Sequence, residues 1–502
     1  MSTIATTHAT THESAEIPTV ITETSPMNRH NAGDDTRDAA AASGRTLSEW
    51  NPEDAAFWER TGKRIAYRNL WISVPALTLA FIVWMVWSVV VINLPAIGFG
   101  FSNAQLFWLT AIPGLSGATL RIFYSFLVPI FGGRNWTVIS TASLIVPLAG
   151  IAWAVQDVTT PYGIFALLAA LAGFGGGNFA SSMSNISFFF PKAKKGLALG
   201  LNAGLGNLGV SIVQFTVPLV IASAIFGTLG GAAQTSVANG VERQIHLQNA
   251  ALIWIPIAVV VVIAAWFGMN NLAVAKASFK DQSIIFKRKH TWLMSWLYVG
   301  TFGSFIGYSA ALPMLIKTQF PAIDPLQYAF LGPLVGALAR PLGGWLSDKV
   351  GGARVTLFDF VLMAAGVIGV IYFLDHKEDP AAFTGFLTSF LVLFFATGIG
   401  NGSTFRMIPV IFRTERMREV EGMGADAEET ARRAAEKESA AVIGFTSAIA
   451  AYGAFIIPQA YNLSIISTGT IQPALYGLVA FYVTCIALTW IYYARRNAPV
   501  PC

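Results

Sequence analysis

Long apolar runs separated by short polar segments dominate the pattern of this sequence. Each run can supply the roughly 20 residues with which an α-helix crosses a bilayer. The runs are too long and too continuous for the ~10-residue alternating strands of a membrane β-barrel. The pattern therefore predicts an all-α membrane protein with twelve transmembrane helices. They lie at about residues 70–95, 104–131, 136–155, 161–190, 197–224, 249–269, 291–316, 326–346, 355–374, 382–412, 439–462 and 474–494.

Composition agrees with this interpretation and excludes other classes of protein. Of the 502 residues, 54% are hydrophobic and only 12% are charged, which excludes a soluble enzyme. The net charge of +5 comes from basic residues dispersed among short loops, so we expect no nucleic-acid partner. The two cysteines, Cys485 and Cys502, cannot form a disulfide framework or an ordinary metal site, and no cofactor is expected.

The helices are predicted to form two bundles of six behind a polar tail. Residues 1–68 lack an apolar core and indicate a disordered cytoplasmic tail, whose last part suggests a short helix on the membrane surface. The predicted boundaries are 69–270 for the first bundle, 271–290 for a cytoplasmic linker, 291–496 for the second bundle and 497–502 for the C-terminus.

Basic residues are concentrated in every second loop, which places these loops and both termini in the cytoplasm. The two halves also repeat each other: helix 2 carries Gly117–Arg121 and helix 8 carries Gly336–Arg340. Such a repeat predicts two bundles related by a pseudo-twofold axis. The basic loops contain Arg134, Lys192, Lys276, Lys349 and Arg413, whereas the opposite loops contain only Arg243, Lys317 and Lys377.

Two arginines, Arg121 and Arg340, lie well inside apolar runs. A charge at the bilayer centre costs at least ~2.5 kcal/mol, so each needs a reason to be there. Snorkelling or pairing with a buried carboxylate is one explanation, but no acidic residue occurs between Glu59 and Asp157 or between Asp324 and Asp348. We therefore expect both guanidinium groups to bind an anion between the bundles. A carboxylate, nitrate, nitrite or bicarbonate fits this chemistry.

The titratable residues bear on the mechanism. The six histidines fall in tails, loops or helix ends, and no helix centre is predicted to contain a carboxylate. An empty site would then keep two positive charges, which disfavours reorientation without a bound anion and favours obligatory exchange. A proton that travels with the anion or through water is the alternative.

Glycine-rich stretches occur on several predicted helices. Gly204–Gly209 matches the dinucleotide fingerprint GxGxxG, but it lies inside an apolar helix with no preceding strand, which argues against a nucleotide site. Close helix packing or a gating movement explains these glycines better. The positions assigned to packing or gating are Gly200, Gly204, Gly206, Gly209, Gly398 and Gly400.

Four motifs give the chain a family resemblance. Gly343–Arg354 resembles the loop motif of the major facilitator superfamily. Gly173–Pro191, Gly200–Ser211 and Gly398–Pro409 resemble the nitrate/nitrite porter family of the bacterial NarK type. The resemblance covers residues 70–495.

The resemblance implies an inner-membrane transporter of nitrate and nitrite that functions as a monomer in lipid, in nitrate assimilation or anaerobic nitrate respiration. In that family one arginine from each half binds the anion, two aromatic rings confine it and a tyrosine orients it. Nitrate/nitrite antiport by rocking of the bundles is the expected mechanism, with nitrate/proton symport or an anion sensor as alternatives. The matching residues are Arg121, Arg340, Phe179, Phe302 and Tyr298, with Asn207 and Ser447 close to the anion path.

Overall fold

The computed structural model describes residues 45–124, 126–238, 240–273 and 283–502. Within these ranges the architecture is built from twelve long helices. Eleven are long and apolar enough to cross a membrane. The other, α8, has 20 residues but carries Arg340, Asp348 and Lys349, which lower its mean hydropathy. The helices are α1 (Ala55–Val90), α2 (Asn103–Tyr124), α3 (Gly133–Ala154), α4 (Tyr162–Phe189), α5 (Lys192–Ile221), α6 (Asn249–Gly268), α7 (Lys289–Gln319), α8 (Leu331–Val350), α9 (Gly352–Asp375), α10 (Ala382–Glu419), α11 (Ala425–Thr468) and α12 (Gln472–Ala494).

The remaining elements are short. Strand β1 (Thr46–Leu47) pairs in parallel with β4 (Asn271–Leu272), and β2 (Gln234–Ala238) pairs antiparallel with β3 (Val241–Ile245) between α5 and α6. A five-residue helix, Leu127–Phe131, connects α2 to α3. Short 3₁₀ turns lie at Pro95–Ile97, Gly227–Gly230, Ser283–Lys287 and Pro325–Gln327.

The segment before the first span differs from its prediction. Residues 1–44 of the predicted tail lie outside the described residues, but residues 45–68 are folded against the first bundle. Asp54 caps α1 by accepting from the backbone N–H of Ala56 at 2.8 Å. Trp58 is buried in the first turns of α1 and packs against Phe190. The predicted separate surface helix is therefore wrong, because this amphipathic stretch is the beginning of α1.

Helix packing follows the predicted internal repeat. In the first half α1 packs on α4, α5 and α6, and in the second half α7 packs on α10 and α11. The main contacts across the two halves are α2 with α11 and α5 with α8. In the repeat α2 corresponds to α8, and α11 corresponds to α5. The two contacts are therefore equivalent, as a pseudo-twofold axis requires. The turns into α3 and α9 also match, since Gly132 and Gly351 have φ angles of +83° and +95°.

Polar bonds join the two bundles at both ends of the helices. At one end, Lys317 of α7 donates to the carbonyl of Ile92, just after α1. At the opposite end, Lys192 of α5 and Glu436 of α11 form an ion pair of 2.8 Å. Between them, Gln214 of α5 donates to the carbonyl of Ser309 on α7 at 2.8 Å. Polar bonds thus connect the two bundles at both ends of the helices and between them.

The predicted packing glycines fall into two groups. A Cβ at Gly209 would overlap the carbonyl oxygen of Thr78, and one at Gly398 would overlap that of Gly336. Gly206 and Gly400 likewise lie against Leu77 and Asp359, whereas a Cβ at Gly200 or Gly204 would have no neighbour within 4 Å. Close packing is therefore not the role of Gly200 and Gly204 in this conformation.

This difference gives a matched pair of variants on α5. We expect Gly209→Ala to lower stability by about 1–3 kcal/mol, because the new methyl group meets the backbone of α1. Gly204→Ala should be neutral or stabilising by up to about 1 kcal/mol, since alanine favours a helix and the space is open. Thermal unfolding of the purified variants in detergent measures both. Equal destabilisation of the two variants would contradict the described packing of α5 on α1.

Candidate functional site

Arg121 of α2 is fully buried where the two bundles meet. Its Nε donates to the carbonyl of Gly176 on α4 at 3.0 Å, within the first bundle. Its Nη1 donates to the carbonyl of Ser447 on α11 at 3.0 Å, across the interface. Its Nη2 is buried without a hydrogen-bond partner among the described residues. Two bonds thus fix the guanidinium plane and leave the Nη2 amino group for a ligand.

Arg340 of α8 has a corresponding arrangement in the second bundle. It is 8% exposed, and its Nη2 lies 3.4 Å from the hydroxyl of Tyr298 on α7. Its Nη1, like the Nη2 of Arg121, has no hydrogen-bond partner in the described part of the chain. The ring of Tyr298 stacks on that of Phe302, which lies 5.5 Å from the guanidinium carbon of Arg121. The structure therefore brings the two predicted arginines to one site.

Aromatic rings form the walls of this site. Phe179 of α4 and Phe302 of α7 face each other with centroids 6.2 Å apart and planes at 27°. The guanidinium carbon of Arg121 lies 4.8 Å from the first ring and 5.5 Å from the second. A planar anion between two rings needs about 7 Å, given contacts of ~3.5 Å on each side. Sandwiching an anion here therefore requires the rings to separate by about 1 Å.

A π turn of α7 shapes the second wall. It spans Val299–Gly303, beginning directly after Tyr298, and includes Phe302. The Tyr298 and Phe302 rings stack with centroids 5.6 Å apart and planes at 14°. Single π turns inside α-helices are frequently found at functional sites. Here the turn directs one ring at Arg121 while the adjacent tyrosine reaches Arg340.

Two aromatic residues of the site were not predicted. Trp84 of α1 lies 5.2 Å from the guanidinium carbon of Arg121, and its Nε1 donates to the carbonyl of Pro113 at 2.7 Å. Phe405 of α10 lies 5.5 Å from that of Arg340. Phe405 belongs to the motif Gly398–Pro409, which could have indicated its role. Trp84 lies in an apolar run, and nothing in the sequence distinguishes it from the other aromatic residues there.

The structure also places Asn207 and Ser447. Asn207 of α5 is buried, and its Oδ1 has no partner within the described residues. Ser447 contributes its backbone carbonyl to Arg121, while its hydroxyl donates to the carbonyl of Gly444 at 2.8 Å. The main chain of Ser447, rather than its side chain, therefore positions the arginine.

The hydroxyls of Tyr298 and Ser447 should consequently differ in importance. We expect Tyr298→Phe to slow anion uptake by roughly 10-fold, because a hydrogen bond to a charged group contributes about 1.5–3 kcal/mol. Ser447→Ala should change uptake by less than about 3-fold, since it keeps the carbonyl that Arg121 uses. Initial rates of uptake into vesicles compare the two. A larger effect of Ser447→Ala would show that its hydroxyl contacts the anion directly.

A buried acid in the second bundle corrects the sequence analysis. Asp359 lies in α9, is 4% exposed, and neither carboxylate oxygen has a hydrogen-bond partner among the described residues. The prediction was that no helix centre contains a carboxylate, and it missed this buried acid. Asp359 lies near the start of the apolar run predicted at about residues 355–374. The argument for obligatory exchange loses one of its premises.

No cluster of three His, Cys, Asp or Glu residues that could hold a metal ion occurs within the described ranges. The ionic groups of the site are the two arginines. Such a site can bind a small planar anion through guanidinium N–H groups and aromatic faces.

Comparisons with known proteins identify the family. The Major Facilitator Superfamily profile matches residues 76–423. The nitrate/nitrite transporter NarU of Salmonella typhimurium is 52% identical over 456 residues, which are 90% of this chain and 96% of that protein. The chain belongs to the nitrate/nitrite porter family of this superfamily. The porter is also 43% identical to the probable nitrate/nitrite antiporter NarK2 of Thermus thermophilus over 468 residues, 92% of this chain and 99% of its relative.

A solved structure supports the same fold. The crystal structure of a D-xylose-proton symporter aligns with 87% of this porter and 98% of its own chain, with a TM-score of 0.63. The sequences are only 13% identical, so this likeness concerns the fold alone. It agrees with two pseudo-symmetric six-helix bundles in a multi-pass membrane protein.

Proposed function

We propose that this porter exchanges nitrate for nitrite across the bacterial inner membrane by alternating access. The observation that carries the proposal is the pair of buried guanidinium N–H groups, on Arg121 and Arg340, that lack hydrogen-bond partners in the described residues. The relatives that cover nearly the whole chain are named as nitrate/nitrite transporters, and one of them as a probable antiporter. The basic residues in alternate loops support a cytoplasmic location for both termini.

The geometry favours a small planar anion with one negative charge. A single anion between the Nη2 of Arg121 and the Nη1 of Arg340 would accept hydrogen bonds through two of its oxygens. Nitrate and nitrite are planar and can lie against the faces of Phe179 and Phe302. Because both anions carry the same charge, either one leaves the same net charge in the site. The two substrates can therefore use one binding site in turn.

Transport requires the bonds at the two ends of the helices to break alternately. The ion pair of Lys192 and Glu436 is about half exposed, so breaking it costs only ~1 kcal/mol or less. The opposite bond, from Lys317 to the carbonyl of Ile92, is part-buried. Opening at the Lys192 end would therefore be the easier movement from this structure.

The test is uptake of labelled nitrate into proteoliposomes without a pH gradient. We expect rapid uptake when the vesicles contain nitrite and little uptake when they contain only chloride, because exchange needs an anion to return. Equal uptake by the two kinds of vesicle would overturn exchange. Empty liposomes measure passive leakage.

A further inference from the structure

The proposed exchange gives no role to Asp359, the buried acid of α9. Its carboxylate lies against Gly400 of α10, where any side chain at that position would overlap its Oδ2. Thr301 of α7 borders the same point, since its Cγ2 would lie 2.5 Å from the same Cβ. The absence of a side chain at Gly400 thus creates the space that the carboxylate occupies. The acid faces the interior of the second bundle.

The charged and titratable groups on the surrounding helices bond elsewhere. Arg340 of α8 donates to Tyr298 of α7, and Arg406 of α10 pairs with Asp348. On α12, the Tyr482 hydroxyl is within hydrogen-bond distance of those of Ser304 and Tyr308, while Cys485 lies beside Gly300. His290 of α7 bonds to the hydroxyl of Tyr493. Asp359 forms no ion pair with any residue in the described part of the chain.

Such a carboxylate is most stable when it carries a proton. An ionised group buried without a cation or hydrogen bonds costs several kcal/mol, and a protonated one avoids most of this cost. Ionisable residues inside membrane proteins commonly mark ion or proton pathways for this reason. When an anion neutralises one of the two site arginines, we therefore expect the buried Asp359 to hold a proton.

We propose that Asp359 is a proton-binding site that allows the porter to return without an anion. The inference rests on the proposed function. With an anion bound and Asp359 protonated, the two site arginines and the anion give a net charge of plus one. With the anion gone and Asp359 ionised, the two arginines and the carboxylate also give plus one. Losing the proton with the anion thus leaves the interior charge of the porter unchanged.

This charge balance means that the proton and the anion bind cooperatively. Phe405, beside Arg340, is five residues from Gly400 on α10, about 7.5 Å along the helix axis. A negative charge beside Arg340 in the same low-dielectric bundle favours the neutral form of Asp359, and by reciprocity the proton favours the anion. Exchange of nitrate for nitrite keeps Asp359 protonated throughout. Net uptake moves one proton with each anion.

Hydroxyl groups lie between Asp359 and the nearer end of α9. Thr356, one turn closer to that end, pairs with Ser403 at 2.7 Å, and Thr301 pairs with Thr404 at 3.2 Å. Asp359 is seven residues from the first residue of α9, Gly352, which is about 10 Å. None of these hydroxyls bonds to the carboxylate in this structure, so water that enters when the bundles open at that end would have to connect them to Asp359.

The test compares wild-type protein with Asp359→Asn in the same proteoliposomes. We expect the wild type to accumulate nitrate in nitrite-free vesicles when the outside is acidic, and Asp359→Asn to accumulate it at least 10-fold more slowly. The variant should retain exchange in nitrite-loaded vesicles, because exchange needs no proton release. Asp375→Asn, at an exposed acid at the other end of α9, is the matched control and should behave as the wild type.

Two results would overturn the proposal. One is an absence of acid-driven uptake by the wild type, and the other is full acid-driven uptake by Asp359→Asn. Failure of wild-type exchange in nitrite-loaded vesicles would instead count against the proposed function, so the two failures are distinguishable.

A second measurement covers the case in which Asp359→Asn loses both activities or fails to fold. Nitrate is added to purified wild-type protein in weakly buffered detergent solution near neutral pH, with a pH indicator and chloride as the control salt. We expect nitrate, but not chloride, to cause uptake of protons in proportion to the anion bound. Nitrate binding without proton uptake at any pH between about 6 and 9 would overturn the proposal whatever the variant does.

Discussion

Arg121→Lys and Arg340→Lys are each expected to reduce nitrate uptake by at least 100-fold. Lysine keeps the positive charge, but its single ammonium cannot reproduce the planar group with which Arg121 donates to two backbone carbonyls and keeps Nη2 for the anion. At Arg340 the same change removes the planar guanidinium group, whose two amino groups are needed for Tyr298 and for the anion. A 100-fold loss corresponds to about 2.8 kcal/mol, the range of a charge-assisted hydrogen bond. Counterflow into nitrite-loaded vesicles measures it.

A control variant distinguishes the loss of the guanidinium group at the anion site from a general effect of replacing arginine by lysine. Arg406→Lys makes the same change at a half-exposed arginine that pairs with Asp348, so uptake should stay within about 2-fold of the wild type. Thermal unfolding in detergent verifies that all three variants are folded. Wild-type uptake by a folded Arg121→Lys or Arg340→Lys would show that the anion needs only a positive charge at that position.

Phe302→Leu is expected to slow exchange by about 10- to 30-fold with little loss of stability. Leucine fills most of the buried space, and such hydrophobic exchanges usually cost less than ~1.5 kcal/mol. It removes the aromatic face that lies 5.5 Å from Arg121 and 6.2 Å from the ring of Phe179. A desolvated cation–π contact contributes about 2 kcal/mol, which corresponds to about 30-fold in rate. Initial rates of nitrite-driven nitrate uptake measure this effect.

Phe305→Leu provides the control for this prediction. Phe305 is buried on the same helix, one turn beyond Phe302, and packs against Phe394 and Gly336 of the second bundle. The same substitution there should leave exchange within about 3-fold of the wild type. If both leucine variants were equally slow, the loss would come from the packing of α7 rather than from the ring at the anion site.

The helices and the two arginines could be predicted from the sequence because both depend on local composition. An apolar run of sufficient length has few alternatives to a membrane-spanning helix. A charge inside such a run stands out because of its cost, which is why Arg121 and Arg340 were identified without any structure. The internal repeat placed them on equivalent helices, and the structure adds that Ser447 and Tyr298 are their bonding partners.

The features that were missed depend on contacts between distant parts of the chain. Trp84 resembles any other aromatic residue of α1 until its ring is seen beside Arg121. The start of α1 was taken for a surface helix because its amphipathic pattern does not reveal that Phe190 covers Trp58. Asp359 lies only eight residues into its helix, so its position along the sequence gave no indication of burial.

Nitrate binding to the purified porter tests the central claim most directly. Labelled nitrate is titrated into wild-type protein, Arg121→Lys and Arg340→Lys under identical conditions, with chloride in excess. The account predicts one nitrate bound per wild-type chain, displaced by nitrite, and no saturable binding to either variant. Binding of wild-type affinity and stoichiometry by either folded variant would contradict an anion held between the two arginines.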